Sequence, residues 1–152
     1  MSEIIVERAD PRHPEAEALL KQSHALMQSL FPPEDNFFLD IDALAAPGIL
    51  FFTAKAEGRV VGTGALAVKA GYGEVKSMFT AEAARGRGVA GKVLAALEAE
   101  ARALGLGWLR LETGNSLEAA HRVYRAAGFL ERGPFGDYPE AASSIFMEKR
   151  LS

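Results

Sequence analysis

Arg85-Gly86-Arg87-Gly88-Val89-Ala90 lies between an apolar run with strand character, residues 75–80, and a strongly helical run, residues 91–104. Glycine has no Cβ, so Gly86 and Gly88 permit a tight turn and a close backbone approach to a ligand. The helix that follows starts at or just after Gly88. Its first N–H groups lack intrahelical partners and carry the positive end of the helix dipole. A loop of this kind is a ready anion site. Arg85 and Arg87 add fixed charge and bidentate donors suited to phosphate. The stretch reads as a diphosphate cradle, against the plainer reading of a glycine turn with solvated arginines.

A second ligand reading competes. Gly86-Arg87-Gly88-Val89-Ala90-Gly91 fits G-x-G-x-x-G, with Glu112 about 20 residues on, as a dinucleotide-binding unit requires. Ala81-Glu82-Ala83-Ala84-Arg85 separates the first glycine from its strand, however, and the preceding segments read as an antiparallel meander. Too little chain follows Glu112 to complete such a sheet.

Working outward, residues 49–56 are rich in β-formers, Glu57-Gly58-Arg59 is a tight turn, and residues 60–69 return as the next strand. Gly62 and Gly64 within it mark a bulge or a close backbone approach. Ala70-Gly71-Tyr72-Gly73 turns the chain into residues 74–80. Upstream, residues 3–9 read as a strand, 14–30 as a helix ended by Phe31-Pro32-Pro33, and 35–45 as a short second helix. Downstream, Val89, Val93, Leu94, Leu97, Ala101 and Leu104 form the apolar stripe of the long helix. Residues 108–113 alternate as a strand, parallel to 74–80 because a helix connects the two. Residues 115–127 are helical, 129–131 and 144–149 are strands, and a long irregular loop separates those last two.

The 152 residues suit a single domain, 1–152. At a net charge of −3 nucleic acid is not an expected partner, since backbone binding needs a basic face. With no cysteine, thiol nucleophiles and thiolate metal sites are excluded, and His13, His24 and His121 are too scattered for a metal. The sequence contains no membrane span and no signal peptide, so the expected location is cytoplasmic.

The order β-α-α-β-β-β-α-β-α-β-β, with a phosphate-type loop after the fourth strand, resembles the GNAT superfamily of acyl-CoA-dependent N-acetyltransferases. Arg85, Gly88 and Ala90 match its [Q/R]-x-x-G-x-[G/A] loop. Asn115, Ala119, Ala120, Tyr124 and Gly128-Phe129 match its N-x-x-x-A…Y…GF helix. Phe31-Pro32-Pro33-Glu34, Leu111-Glu112-Thr113-Gly114 and Pro134-Phe135-Gly136-x-Tyr138 are similar to small bacterial members of the superfamily, a likeness that identifies no acceptor. The resemblance covers almost the whole chain. It implies a mixed α/β (α+β) fold, with a mainly antiparallel central sheet, one splayed parallel pair, and flanking helices.

The resemblance also implies roles. Arg85, Gly86, Arg87, Gly88, Val89 and Ala90 would bind the diphosphate of acetyl-CoA. Met78, Phe79 and Thr80 would offer main-chain bonds to the pantetheine arm. Asn115 would face the cosubstrate, although Asn115-x-x-Glu118 also fits a capping box. Tyr124 is the expected general acid: a phenol of pKa about 10 holds a proton at neutral pH that a departing thiolate can take. Its plain alternative is a core tyrosine. Glu74 is the expected general base, because it occupies the strand position where related histone acetyltransferases carry theirs; its alternative is an exposed strand-end carboxylate. His24 and His121 are weaker candidates for the base.

The acceptor pocket is expected from Phe31, Phe37, Phe38, Phe135 and Tyr138, with Glu34, Asp35, Asp137 and Glu140 nearby. Aromatics and carboxylates together favour a cationic amine. The expected function is transfer of an acetyl group to a primary amine, of a small molecule or a peptide, by direct attack in a ternary complex. The alternative is a non-catalytic acyl-CoA sensor. Oligomeric state is open, a homodimer included.

Overall fold

The structure, a computed structural model, describes residues 3–151. β1 (Ile4–Arg8) is followed by α1 (Pro14–Leu30), a 3-10 turn (Pro33–Asp35) and α2 (Ile41–Leu44). β2 (Ile49–Ala56), β3 (Arg59–Val68) and β4 (Tyr72–Thr80) form the meander, and a 3-10 turn (Glu82–Ala84) leads into α3 (Val89–Ala103). β5 (Trp108–Gly114), α4 (Glu118–Ala126), β6 (Leu130–Arg132) and β7 (Ser144–Arg150) complete the chain. The strands form one seven-stranded sheet in the order β1-β2-β3-β4-β5-β7-β6. Among the described residues only β4 and β5 pair in parallel, as the α3 crossover between them requires.

Local chemistry sets the elements. At the start of α1 the His13 ring accepts the Glu15 N–H, Pro14 takes the first turn, and Glu15 and Glu17 complement the dipole. The helix expected over 35–45 shrinks to Ile41–Leu44. Pro33 opens a separate turn, Asn36 is already extended, and Asp40 caps the short helix by accepting the Ala43 N–H at 2.8 Å. The helix expected over 115–127 begins only at Glu118. Leu117 is its N-cap and no side chain caps it, so the capping-box reading of Asn115 fails.

α3 packs on the meander through Val89, Val93, Leu94, Leu97 and Ala101, all buried. Burial of each larger side chain is worth about 1.5–3 kcal/mol. Leu104, expected on this stripe, is the C-cap and is 49% exposed. The two strand glycines let α3 come this close. A Cβ on Gly62 would stand 2.5 Å from Val89 Cγ1, and one on Gly64 would stand 2.4 Å from Val93 Cγ1. β3 also carries register shifts on both edges here.

One of those irregularities opens the sheet. Thr63 pairs with Phe79 and Ala65 with Lys76, so Ser77 and Met78 together oppose Gly64. This is a β-bulge, and Ser77 sits in the left-handed region at φ +56°. The parallel pairing of β4 and β5 runs from Tyr72–Trp108 to Val75–Leu111 and no further. Beyond it the two strands diverge, and the β4 main-chain groups that face away from β3 have no strand partner.

Candidate active site

The α3 loop has the geometry of an anion cradle. Gly86 and Gly88 adopt φ of +82° and +77°, which L side chains rarely tolerate. A Cβ on either would meet nothing within 4 Å, so backbone conformation, not space, calls for glycine. The first α3 bond is Lys92 N–H to Gly88 O at 3.1 Å, which leaves the N–H groups of Val89, Ala90 and Gly91 without a helical partner. Arg85 and Arg87 are exposed.

This loop borders a largely apolar cleft of about 510 Å³ between α3 and α4. Met78, Phe79, Thr80, Arg85, Gly86, Gly88, Val89 and Ala90 line it, whereas Arg87 and Asn115 do not. Asn115 lies in the β5–α4 turn, where its amide donates to the Ala142 carbonyl at 3.3 Å.

A second cavity, of about 110 Å³, lies on the other side of the splay. Met27, Phe31, Phe37 and Phe38 form apolar walls, and Asp35, Lys76 and Glu112 are the charged residues on its lining. The Phe31 ring packs against the end of β5; a Cβ on Gly114 would fall 2.1 Å from its Cζ. The Ser143 hydroxyl donates to Asp35 and so joins the two segments that rim the cavity.

Tyr124 lines both spaces, with Met27, Met78, Leu117 and Ala120. The bulge and the divergence of β4 from β5 open the sheet at this point. Burial pushes the Tyr124 phenol above its ordinary pKa, and the charge of Glu112 adds to the shift. The ring is 6% exposed and tilts against Phe129, so the core reading also describes part of its environment.

Glu74 is buried, not an exposed strand end, and it does not line the cavity. The Tyr138 hydroxyl donates to its carboxylate. The Lys76 ammonium lies 3.4 Å from the same carboxylate and donates to the Tyr138 hydroxyl at 2.6 Å and the Phe37 carbonyl at 2.9 Å. Glu74 therefore belongs to a closed network that ties the late loop and the Phe37 segment to β4.

Glu112, unlike Glu74, does reach the cavity, as Asp35 does from the other rim. Strand alternation puts it on the face shared by Arg110, Glu74 and Lys76, opposite the buried Leu109 and Leu111. Burial raises its pKa, against a hydrogen bond from the Ser144 hydroxyl at 2.8 Å and the charge of Lys76. The sequence drew attention to Glu112 only through the dinucleotide fingerprint and the Leu-Glu-Thr-Gly string. The signal that could have found it is its parity with Glu74, one strand over.

The other candidates have structural partners or lie outside the cavity. His121 Nε2 is bonded to the Gly114 carbonyl at 2.8 Å, which pins the end of β5. His24 stacks on Phe38 with centroids 4.2 Å apart, and burial holds its pKa below the ordinary value. Phe135 and Tyr138 support the cavity from behind, Tyr138 meeting the Phe37 ring edge-on at 5.3 Å. Glu34, Asp137 and Glu140 are not on its lining. Among the described residues no cluster of three or more His, Cys, Asp or Glu could hold a metal, and no helix is long and apolar enough to cross a membrane.

A mixed sheet splayed beside a glycine-bounded helix start is the architecture this chain shares with known acyltransferases. The model of the acetyltransferase (GNAT) family matches residues 15–129. An IAA acetyltransferase of Azospirillum brasilense is 41% identical over 153 residues, covering 99% of this chain and 100% of that protein. The uncharacterised N-acetyltransferase YsnE of Bacillus subtilis is 38% identical over 128 residues, covering 82% of this chain and 85% of the relative. A solved structure from Klebsiella pneumoniae, assigned as an acyl-CoA N-acyltransferase, superposes with a TM-score of 0.83 at 31% identity over 98% of both chains. The chain belongs to the GNAT family and is an acyltransferase that uses an acyl-CoA.

Proposed function

We propose that the protein transfers an acetyl group from acetyl-CoA to a primary amine by direct attack in a ternary complex. The observation that carries this reading is that the glycine-loop cleft and the carboxylate-bearing cavity meet at Tyr124. A thioester laid along the open edge of Met78–Thr80 would place its carbonyl carbon between the two spaces. The α3 N–H groups and Arg85 would hold the diphosphate, and Arg87 would act from the loop's outer side. Asn115 would act only if its turn moved toward the cleft.

An alkylammonium must lose a proton before its nitrogen can attack. Glu112 accepts that proton, because it lines the acceptor cavity and its raised pKa suits a base that works near neutrality. Glu74 is the second choice, since its carboxylate is already engaged by Tyr138 and Lys76. As the C–N bond forms and the C–S bond breaks, Tyr124 donates its proton to the sulfur. Burial keeps that phenol neutral, and the same apolar cleft makes an emerging thiolate more basic than in water. With no cysteine, no acyl-thioenzyme forms. An acetyl-CoA-dependent reaction would also place the protein in the cytoplasm.

The test is free-CoA release from acetyl-CoA across amines, amino acids, peptides and IAA, the acceptor in the relative's name. We expect turnover with amines. Tight acetyl-CoA binding with no turnover of any amine would favour the sensor reading or another acceptor class.

A further inference from the structure

The acceptor cavity has one cation on its lining among the described residues, Lys76, and that cation is fully used. An ammonium has three N–H donors. Lys76 has three acceptors within reach: the Phe37 carbonyl at 2.9 Å, the Tyr138 hydroxyl at 2.6 Å and the Glu74 carboxylate at 3.4 Å. Its side chain is 11% exposed, so water offers little replacement if a partner is given up. A carboxylate on an acceptor would therefore find no free donor there. It would face Asp35 and Glu112, and like charges brought together with little solvent repel. An ammonium meets the opposite situation. It finds those two carboxylates, and its carbon arm finds Met27, Phe31, Phe37 and Phe38.

We propose that the acceptor is a primary amine on an apolar or aromatic arm with no carboxylate beside the nitrogen, an alkylamine or arylalkylamine, and that α-amino acids are rejected. This rests on the amine-transfer reading above and narrows it. The cavity volume of about 110 Å³ suits a short arm and leaves no space for a bulky headgroup.

The test compares phenethylamine, phenylalanine and phenylalaninamide, which share one ring and one amine and differ at the carboxyl position. We expect kcat/KM for phenethylamine to exceed that for phenylalanine by about 100-fold, the size of a modest like-charge penalty. Phenylalaninamide, with the charge removed, should recover most of the loss. Equal rates for phenylalanine and phenethylamine would overturn the inference. Calorimetry on the CoA-loaded protein, comparing phenethylamine with 3-phenylpropionate, separates this inference from the transfer reading. Phenethylamine binding without turnover keeps the acceptor class and sinks the transfer chemistry. Preference for the carboxylate, or no binding of the amine, overturns the acceptor class itself.

Discussion

The glycine-loop cleft and the carboxylate-bearing cavity share Tyr124 and are built on opposite principles. The cleft takes the central part of its lining from one stretch, Met78 to Gly91, and depends on backbone: positive φ at Gly86 and Gly88, orphan N–H groups, an open strand edge. The cavity draws on the end of α1, the Phe37 segment, β4, the end of β5 and Ser143, and depends on side chains. A backbone site tolerates change in its side chains, so it suits the part of a reaction that a family holds in common. A side-chain site can be rebuilt one residue at a time, so it suits the part that differs between members.

The residue common to both should show the largest effect. Tyr124→Phe is expected to lower kcat by about 10³-fold, within the range for a lost general acid, with acetyl-CoA affinity unchanged. Among the described residues the Tyr124 hydroxyl makes no hydrogen bond, so removing it should leave the melting temperature nearly unchanged. A mild kinetic effect with an intact fold would reduce Tyr124 to a wall between two unrelated spaces.

Glu112→Gln acts on the acceptor side alone. We expect kcat/KM to fall about 10²-fold at neutral pH and acetyl-CoA binding to persist. The wild-type acidic limb should lie above the ordinary carboxylate range, because burial raises the Glu112 pKa. The variant should lose that limb and recover rate at high pH, where solvent deprotonates the amine. The same shift predicts a stability change. A carboxyl with a raised folded pKa binds its proton more tightly in the native than in the unfolded chain. Its contribution is fully present below the unfolded pKa and is lost as pH rises through the folded one. Glutamine removes that loss, so Glu112→Gln should melt higher than wild type at pH 7. A lower melting temperature would mean that the Ser144 bond outweighs the burial.

The same contrast explains what could be read from the sequence. The meander, the α3 stripe and the glycine loop are encoded by residues close in the chain, and all are found in the structure. The splay was expected from family resemblance. Gly64 signals a bulge in the sequence, but that the extra residue falls on the facing strand, at Ser77–Met78, has no local signature, because serine does not advertise a positive φ. Of the residues the sequence points to for an acceptor pocket, Phe31, Asp35, Phe37 and Phe38 line the smaller cavity, and Glu34, Phe135, Asp137, Tyr138 and Glu140 do not. Glu112 was not among those residues, since only the pairing of β4 with β5 brings its face alongside Glu74. The Lys76 network likewise joins residues up to 64 positions apart and has no sequence pattern.

On the donor side, Arg85 and Arg87 were equivalent in the sequence and are not in the structure. Arg85 lines the cleft and Arg87 does not. We expect Arg85→Ala to raise KM for acetyl-CoA about tenfold with kcat nearly unchanged, the loss of one exposed charge-assisted contact. Arg87→Ala should do less. Calorimetric titration of acetyl-CoA into both variants decides it. Equal losses would mean the diphosphate sits over the outside of the loop, and unchanged affinity in both would remove the arginines from binding.

The smallest kinetic effect should come from Glu74→Gln, and it bears on which carboxylate removes the proton. The glutamine carbonyl can still accept from Tyr138, and Lys76 keeps the Phe37 carbonyl and the Tyr138 hydroxyl. What is lost is the charge that balances Lys76. That should lower stability by about 1–3 kcal/mol, less than the full loss of a buried pair. It should also loosen the loops that Lys76 holds, so KM for the amine should rise about three- to fivefold, a fraction of one hydrogen bond's worth. If Glu74 only positions, the pH–rate profile of the variant runs parallel to wild type from about pH 6 to 10. If Glu74 is the base, its variant loses the acidic limb and is rescued at high pH, and Glu112→Gln is the one with the parallel profile. Measured on both variants with one amine, parallel profiles from the two would remove both carboxylates as the base and send the ammonium proton out through water or another group.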